Sequence, residues 1–188
     1  MINPESEKYD RSEDNFRFQL RELQLREQDL EGKRILDIGA GWGDFAKKVK
    51  EKKIPGEIIN LEPIIRPQKE VPRGFVAGIA QELPFPADTF DLVISTGSIP
   101  RLFFNFKDEA VRKENTIWAL EEALRVVKPG SKIRMGRTDW RIGEEQIEPL
   151  RIGYLRDELP QIVQEFCAQN KCEVISVTPT LIIEKKLE

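Results

Sequence analysis

Histidine is absent from all 188 residues, and cysteine occurs only at Cys167 and Cys172. Without histidine, nucleophilic catalysis by Ser/His or Cys/His pairs is excluded. Any proton transfer must use Asp, Glu, Lys, Tyr, Cys, water or the substrate itself. Two thiols also cannot assemble the four Cys or His ligands of a structural zinc site, so no metal is expected. The cysteines bound FCAQNKC, one at a helix end and one at a strand start, and a disulfide between them is not expected. No apolar run approaches the ~20 residues that span a bilayer. MINPESEKYD brings acid and proline where a signal peptide would be basic and then apolar. A cytoplasmic protein with no membrane partner is expected. Charge of one sign is lacking too: 30 basic side chains face 33 acidic ones, and a net −3 gives no general attraction to polyanions. A nucleic-acid partner is therefore not expected.

What is present is an alternating pattern. One domain is expected over 1–188, with a helical extension at 1–31 and the core at 32–188. Phe16, Leu20, Leu23 and Leu30 recur at helical spacing, which predicts a leading amphipathic helix ended by Gly32. Strands are predicted at 34–38, 56–61, 74–77, 92–96, 132–136, 172–178 and 180–185. Helices are predicted at 44–53, 108–127 and 157–170, the first turning Phe45, Ala46 and Val49 inward, the second Ile117, Leu120, Leu124 and Val127. Strands alternating with helices imply an α/β fold with a mainly parallel sheet, whose ligands sit beyond the carboxyl ends of the strands.

The most informative stretch is RILDIGAGWGDF, residues 34–45. Gly39, Gly41 and Gly43 let the backbone turn sharply and approach a ligand closely, and the helix that follows directs its positive end there. The third glycine comes one residue early for the dinucleotide pattern G-x-G-x-x-G. Asp37, just before the turn, suits a ligand carrying an amino group and a sulfonium cation better than a pyrophosphate. Glu62 ends the second strand 23 residues after Gly39, close to the ~20 expected of a carboxylate that holds ribose hydroxyls.

With LPFPADTFDLV and LRVVKPGS following in order, the chain resembles the class I S-adenosylmethionine-dependent methyltransferases, in particular the small type 11-like domains. The resemblance covers residues from about Lys33 onward. It implies a Rossmann-like, doubly wound seven-stranded sheet in a three-layer αβα arrangement, mainly parallel with an antiparallel strand in the C-terminal hairpin. It also implies S-adenosylmethionine as cofactor and S-adenosylhomocysteine as product. Asp37, Gly39, Ala40 and Gly41 would face the methionine portion, Gly43 would be a further cofactor-binding residue, and Glu62 would hold the ribose. Pro63 and Ile64 would border the adenine on one side and Ile79 and Ala80 on the other, with Ser95, Thr96 and Gly97 beside the methyl group. Members often carry an acid after the third-strand glycine; Ile79 stands there, so that contact to the adenine amino group is not expected. Pro63, Pro67 and Pro72 predict a short irregular connection in place of a crossover helix, and a more open adenine edge.

The implied activity is methyl transfer to a small-molecule acceptor. The D/N-P-P-Y/F motif of base-amine methylation is missing, and STGS occupies its place. Arg101, Phe103, Phe104 and Trp140 are candidates for the acceptor pocket, and the aromatics could equally pin a loop to the core. Asp139, with Tyr9 and Tyr154 behind it, is the candidate base. A noncatalytic cofactor-binding module or partner subunit, and an NAD-dependent oxidoreductase, are the alternatives; oligomeric state is not indicated. The run of Lys47, Lys48, Lys50, Lys52 and Lys53 reads as a solvated helix face. The leading helix reads as a lid, a dimer contact or plain packing across the sheet.

Overall fold

The computed structural model describes residues 11–63, 74–99, 106, 108–136, 158–177 and 180–187. In chain order they form α1 (Arg11–Glu22), a 3₁₀ turn (Glu27–Leu30), β1 (Lys33–Ile38), α2 (Asp44–Glu51), β2 (Gly56–Glu62), β3 (Phe75–Ala77) and β4 (Phe90–Thr96). Then follow α3 (Glu109–Val126), β5 (Val127–Gly136), α4 (Leu159–Gln169), β6 (Cys172–Ser176) and β7 (Leu181–Lys185). The strands make one seven-stranded sheet in the order β3-β2-β1-β4-β5-β7-β6. β7 runs antiparallel to both β5 and β6, and every other pair is parallel. The strand order turns back between β1 and β4, where a doubly wound sheet opens its ligand crevice.

Each sheet face carries its own core. Leu36, Ile38 and Val93 point to the side covered by α3 and α4, where Leu120, Ala123, Val163 and Phe166 are buried. Ile35, Leu92 and Ile94 point to the other side, against α1 and α2. Alternation along β1 and β4 thus feeds two layers of helices, as the period of two requires. Phe16, Leu20 and Leu23 lie in the second core, with the Phe16 ring 5.2 Å from Phe45. The leading helix therefore packs across the sheet.

That helix ends earlier than its apolar spacing suggests, at Glu22 rather than at Gly32. Gln24 takes a left-handed backbone (φ 50°), so that its N–H reaches Arg21 O (3.0 Å) and the Leu25 N–H reaches Leu20 O (2.8 Å). This is the Schellman closure, made here without glycine. Val127, expected inside the helix, is instead the first residue of β5. Ala46 and Ile117 are only half-buried.

The lysine run also departs from expectation. Lys48 is buried, its Nζ 3.0 Å from Ser12 Oγ and 3.3 Å from the Glu51 carboxylate. Lys52 pairs with Glu13 (3.1 Å) and Glu27 (3.0 Å) and lies over the Phe16 ring. Two of the five cations thus bind α1 to α2, while Lys47, Lys50 and Lys53 are exposed.

The LPFP segment has a structural cause. Glu122 and Arg125, one turn apart on α3, form an ion pair at 2.7 Å that grips the loop's backbone. Leu83 N–H donates to Glu122 (2.7 Å), and Arg125 donates to Phe85 O (2.7 Å) and Leu83 O (2.9 Å). Phe85 then meets Phe90 edge-on at 5.1 Å. The two motifs, LPFP and EEALR, are the halves of one clamp.

Candidate functional site

β1 delivers Asp37 to the carboxyl end of the sheet, and the chain then turns through Gly39, Gly41 and Gly43 at φ values of 76°, 60° and 71°. All three lie in the left-handed region that side chains resist, yet their surroundings differ. A Cβ on Gly39 would run into the Ser98 side chain, and one on Gly43 would lie 2.6 Å from Phe75 Cζ. At Gly41 a Cβ would meet nothing within 4 Å. Gly39 and Gly43 are needed by the fold, whereas Gly41 borders free space.

The loop is held from β2. Gly39 N–H and Ala40 N–H both donate to Leu61 O (2.8 and 3.2 Å). Gly41 N–H donates to the Glu62 carboxylate at 3.0 Å. That bond uses one carboxylate oxygen, Oε2, and fixes the half-buried side chain at the loop's rim. Glu62 O in turn accepts from Gly78 N–H (3.3 Å), which ties the start of the IAQELP turn to the same strand end.

Asp37 is the electrostatic anomaly of the site. It is 5 % exposed, and among the described residues no cation compensates it. Burial pushes its carboxyl up to about 7, and the negative charge of Glu62 adds to the rise. A buried carboxylate without a partner is costly. A ligand bringing positive charge would remove that cost.

From the other side of the switch point, β4 ends in Ser95, Thr96 and Gly97. Ser95 is fully buried, and its Oγ accepts the Ile99 N–H (3.0 Å), so the hydroxyl anchors the turn. Thr96 and Gly97 are partly accessible. Ile79 is 47 % exposed while Ala80 is packed into the core, and Pro63 is exposed. The structure therefore brings Asp37, the glycine loop, Glu62 and the β4 turn together at the crevice. Ile64, Arg101, Phe103, Phe104, Trp140, Asp139, Tyr9 and Tyr154, and the prolines at 67 and 72, lie outside the described residues.

Three residues of this neighbourhood are missing from the sequence reading. Ser98 interlocks with Gly39 across the switch point, Phe75 closes over Gly43, and Asn60 is 2 % exposed with a buried Oδ1 that has no hydrogen-bond partner among the described residues. Asn60 alone left a signal, as an amide inside an otherwise apolar strand. A cleft of about 1030 Å³ runs along α2 and β2, lined by Trp42, Lys47, Ile58, Asn60 and Phe75. Gly43 lines it while Asp37, Gly41 and Glu62 do not, so it adjoins the glycine loop from the α2 side.

A family model described as a methyltransferase domain matches residues 36–135, from the middle of β1 to the end of β5. A search of the curated proteins returns no match. Among solved structures, a putative S-adenosylmethionine-dependent methyltransferase from Methanococcus maripaludis aligns with a TM-score of 0.55 and 16% identity, over 94% of this chain and 93% of that one. A Thermotoga maritima methyltransferase, described as a possible histamine N-methyltransferase, gives 0.54 and 22% identity over 89% and 88%. A putative methyltransferase from Haloferax volcanii, solved in complex with the Trm112 activator, gives 0.59 and 13% identity over 93% of each chain. At these identities the likeness is one of fold.

Proposed function

The chain belongs to the methyltransferase-domain family and is an S-adenosylmethionine-dependent methyltransferase, and we propose that it transfers a methyl group to a small-molecule acceptor. The observation that carries the site assignment is the buried, uncompensated carboxylate of Asp37 beneath a loop whose Gly41 faces free space. A cofactor with an ammonium and a sulfonium group matches that carboxylate, whereas a pyrophosphate would meet like charge. When bound, S-adenosylmethionine supplies an electrophilic methyl group that a nucleophilic acceptor atom takes by direct displacement.

In this reading Asp37 neutralises the cationic portion, and Gly39, Ala40, Gly41 and Gly43 shape the backbone against it. Glu62, fixed through one oxygen by Gly41 N–H, offers its remaining acceptor capacity to the ribose hydroxyls. Ile79 and Pro63 are accessible apolar surface for the adenine, and Ile64 is a further proposed contact. Ala80 supports that edge from the core. Thr96 and Gly97 border the reacting end, and Ser95 holds their turn. The protein's main contribution to rate is alignment, worth roughly 7 to 11 kcal/mol in favourable cases, which a chain without histidine can supply. Where an acceptor needs deprotonation, Asp139, Tyr9 and Tyr154 are the residues to vary, and Arg101, Phe103, Phe104 and Trp140 are the proposed acceptor contacts.

The near-neutral charge balance and the absent base-amine motif support a metabolite over a nucleic acid. No helix among the described residues is long and apolar enough to cross a membrane. Calorimetry with S-adenosylhomocysteine and NAD tests the cofactor: binding of the first alone is expected, and binding of NAD alone would overturn the reading. Turnover on a panel of amine, hydroxyl and thiol metabolites tests the acceptor class. A second reading, in which turnover needs a partner, is favoured by the likeness to the Haloferax protein solved with its activator. Full turnover by the isolated chain would remove it.

A further inference from the structure

The two cysteines remain outside everything described so far. Cys167 lies in the last turn of α4 and Cys172 opens β6. Cys172 N–H bonds to Asn170 O (2.8 Å), and the Asn170 side-chain amide donates back to Phe166 O (2.8 Å). This double closure folds the chain back on itself within two residues and faces one sulfur with the other. Both thiols are buried, and their sulfurs stand 2.9 Å apart, sharing a hydrogen bond. That is under an ångström beyond the ~2.05 Å of a disulfide. As expected from the sequence, the two thiols are free, but the turn sets them close enough to be joined.

We propose that Cys167 and Cys172 are a modification site, closed by peroxide into an intramolecular disulfide that staples α4 to the edge strand β6. Cys172 acts as the nucleophile. The hydrogen bond between the two sulfurs and the nearby Lys186 ammonium hold its thiol below the usual range, while the same bond and burial raise Cys167. The Cys172 thiolate attacks the peroxide O–O bond, giving a sulfenic acid and hydroxide. Cys167 then attacks the sulfenic sulfur, and the departing hydroxide takes up the thiol proton as water. In sum, two thiols and one peroxide give one disulfide and two waters, the sulfurs losing two electrons and the peroxide gaining them. The entry is local: Asn170 and Lys171 of the connecting turn are partly or fully exposed, so opening that turn admits the oxidant without unfolding the sheet.

The pair sits at the amino end of the sheet, opposite the crevice, and the closed loop is short. The expected effect is therefore a small gain in thermal stability with S-adenosylhomocysteine affinity unchanged within about twofold. Intact-mass analysis of the full, folded chain after mild peroxide should show a loss of about 2 Da, two hydrogens, reversed by a dithiol. After cleavage at Lys171, the peptides carrying Cys167 and Cys172 should stay joined until reduced. Cys167→Ser and Cys172→Ser should each lose the 2 Da change, and the wild-type mass result stands whether or not these variants fold. A gain of about 16 or 32 Da in the folded wild type, a disulfide-linked dimer, or the 2 Da loss only in denaturant would each overturn the proposal.

Discussion

Asp37 and Glu122 are two acids set into the same α/β framework, and they are treated in opposite ways. Glu122 is surrounded by donors. Arg125 and the Leu83 N–H hold its carboxyl below the usual range, chiefly through the Arg125 hydrogen bond, and the result is a clamp complete in itself. Asp37 is buried beside another acid with no cation among the described residues, and its carboxyl is pushed up to about 7. A framework that satisfies one carboxylate with two donors while leaving another without a cation is stable in its scaffold and unsatisfied at its crevice. In the function proposed here, that difference separates a residue that holds the fold from one that meets the cofactor.

The largest effect should come from filling the free space at the crevice. Gly41→Val is expected to abolish S-adenosylhomocysteine binding in calorimetry while the circular dichroism spectrum stays that of the wild type. Its left-handed φ adds a strain of about 1 to 2 kcal/mol. Unchanged affinity would remove the loop from the site.

Asp37→Asn should come next, because it removes the charge without the shape. Affinity for S-adenosylmethionine should fall by about 2 kcal/mol, roughly 30-fold. The same change should raise the melting temperature of the ligand-free protein at pH 8 and leave it nearly unaltered at pH 4. A variant that binds as tightly as wild type would make Asp37 a structural acid like Glu122.

Glu122→Ala tests the other half of the contrast. It leaves the buried Leu83 N–H without its acceptor and Arg125 without its carboxylate, which should cost about 1.5 to 3 kcal/mol of stability in denaturant unfolding, with cofactor affinity unchanged within twofold. A loss of binding as large as the loss of stability would join the two regions into one.

A further effect follows from linkage. Because the folded-state value for Asp37 lies near 7 and the unfolded one near 3.8, the native state holds the extra proton between them. This group's contribution to ligand-free stability is therefore full near pH 4, declines as pH rises toward 7, and is flat above. Thermal melts from pH 4 to 8 should show that decline in the wild type and lose it in Asp37→Asn.

Much of this was legible in the sequence because local pattern and global fold agree. Seven strands and the helices between them follow from period-two and helical spacing, the antiparallel C-terminal hairpin from the family resemblance, and the candidates Asp37, the glycines and Glu62 from the chemistry and spacing of one turn. Other features depended on partners distant in the chain. α1 stops at a left-handed Gln24, a role that glycine usually signals. Lys48 looks like a surface cation until Ser12 and Glu51 close around it. Ser98 matters only because Gly39, across the switch point, has no side chain. The closeness of Cys167 and Cys172 is likewise made by a two-residue turn and not by their spacing.

The most direct test of the central claim, that Asp37 is the carboxylate awaiting a cationic cofactor, is calorimetry of S-adenosylmethionine binding between pH 6 and 8 in buffers of different ionisation enthalpy. Affinity should rise with pH and level off above about 7, with release of up to one proton below it; that release should be absent in Asp37→Asn. Affinity that is flat across this range in the wild type, with no proton released, would contradict it.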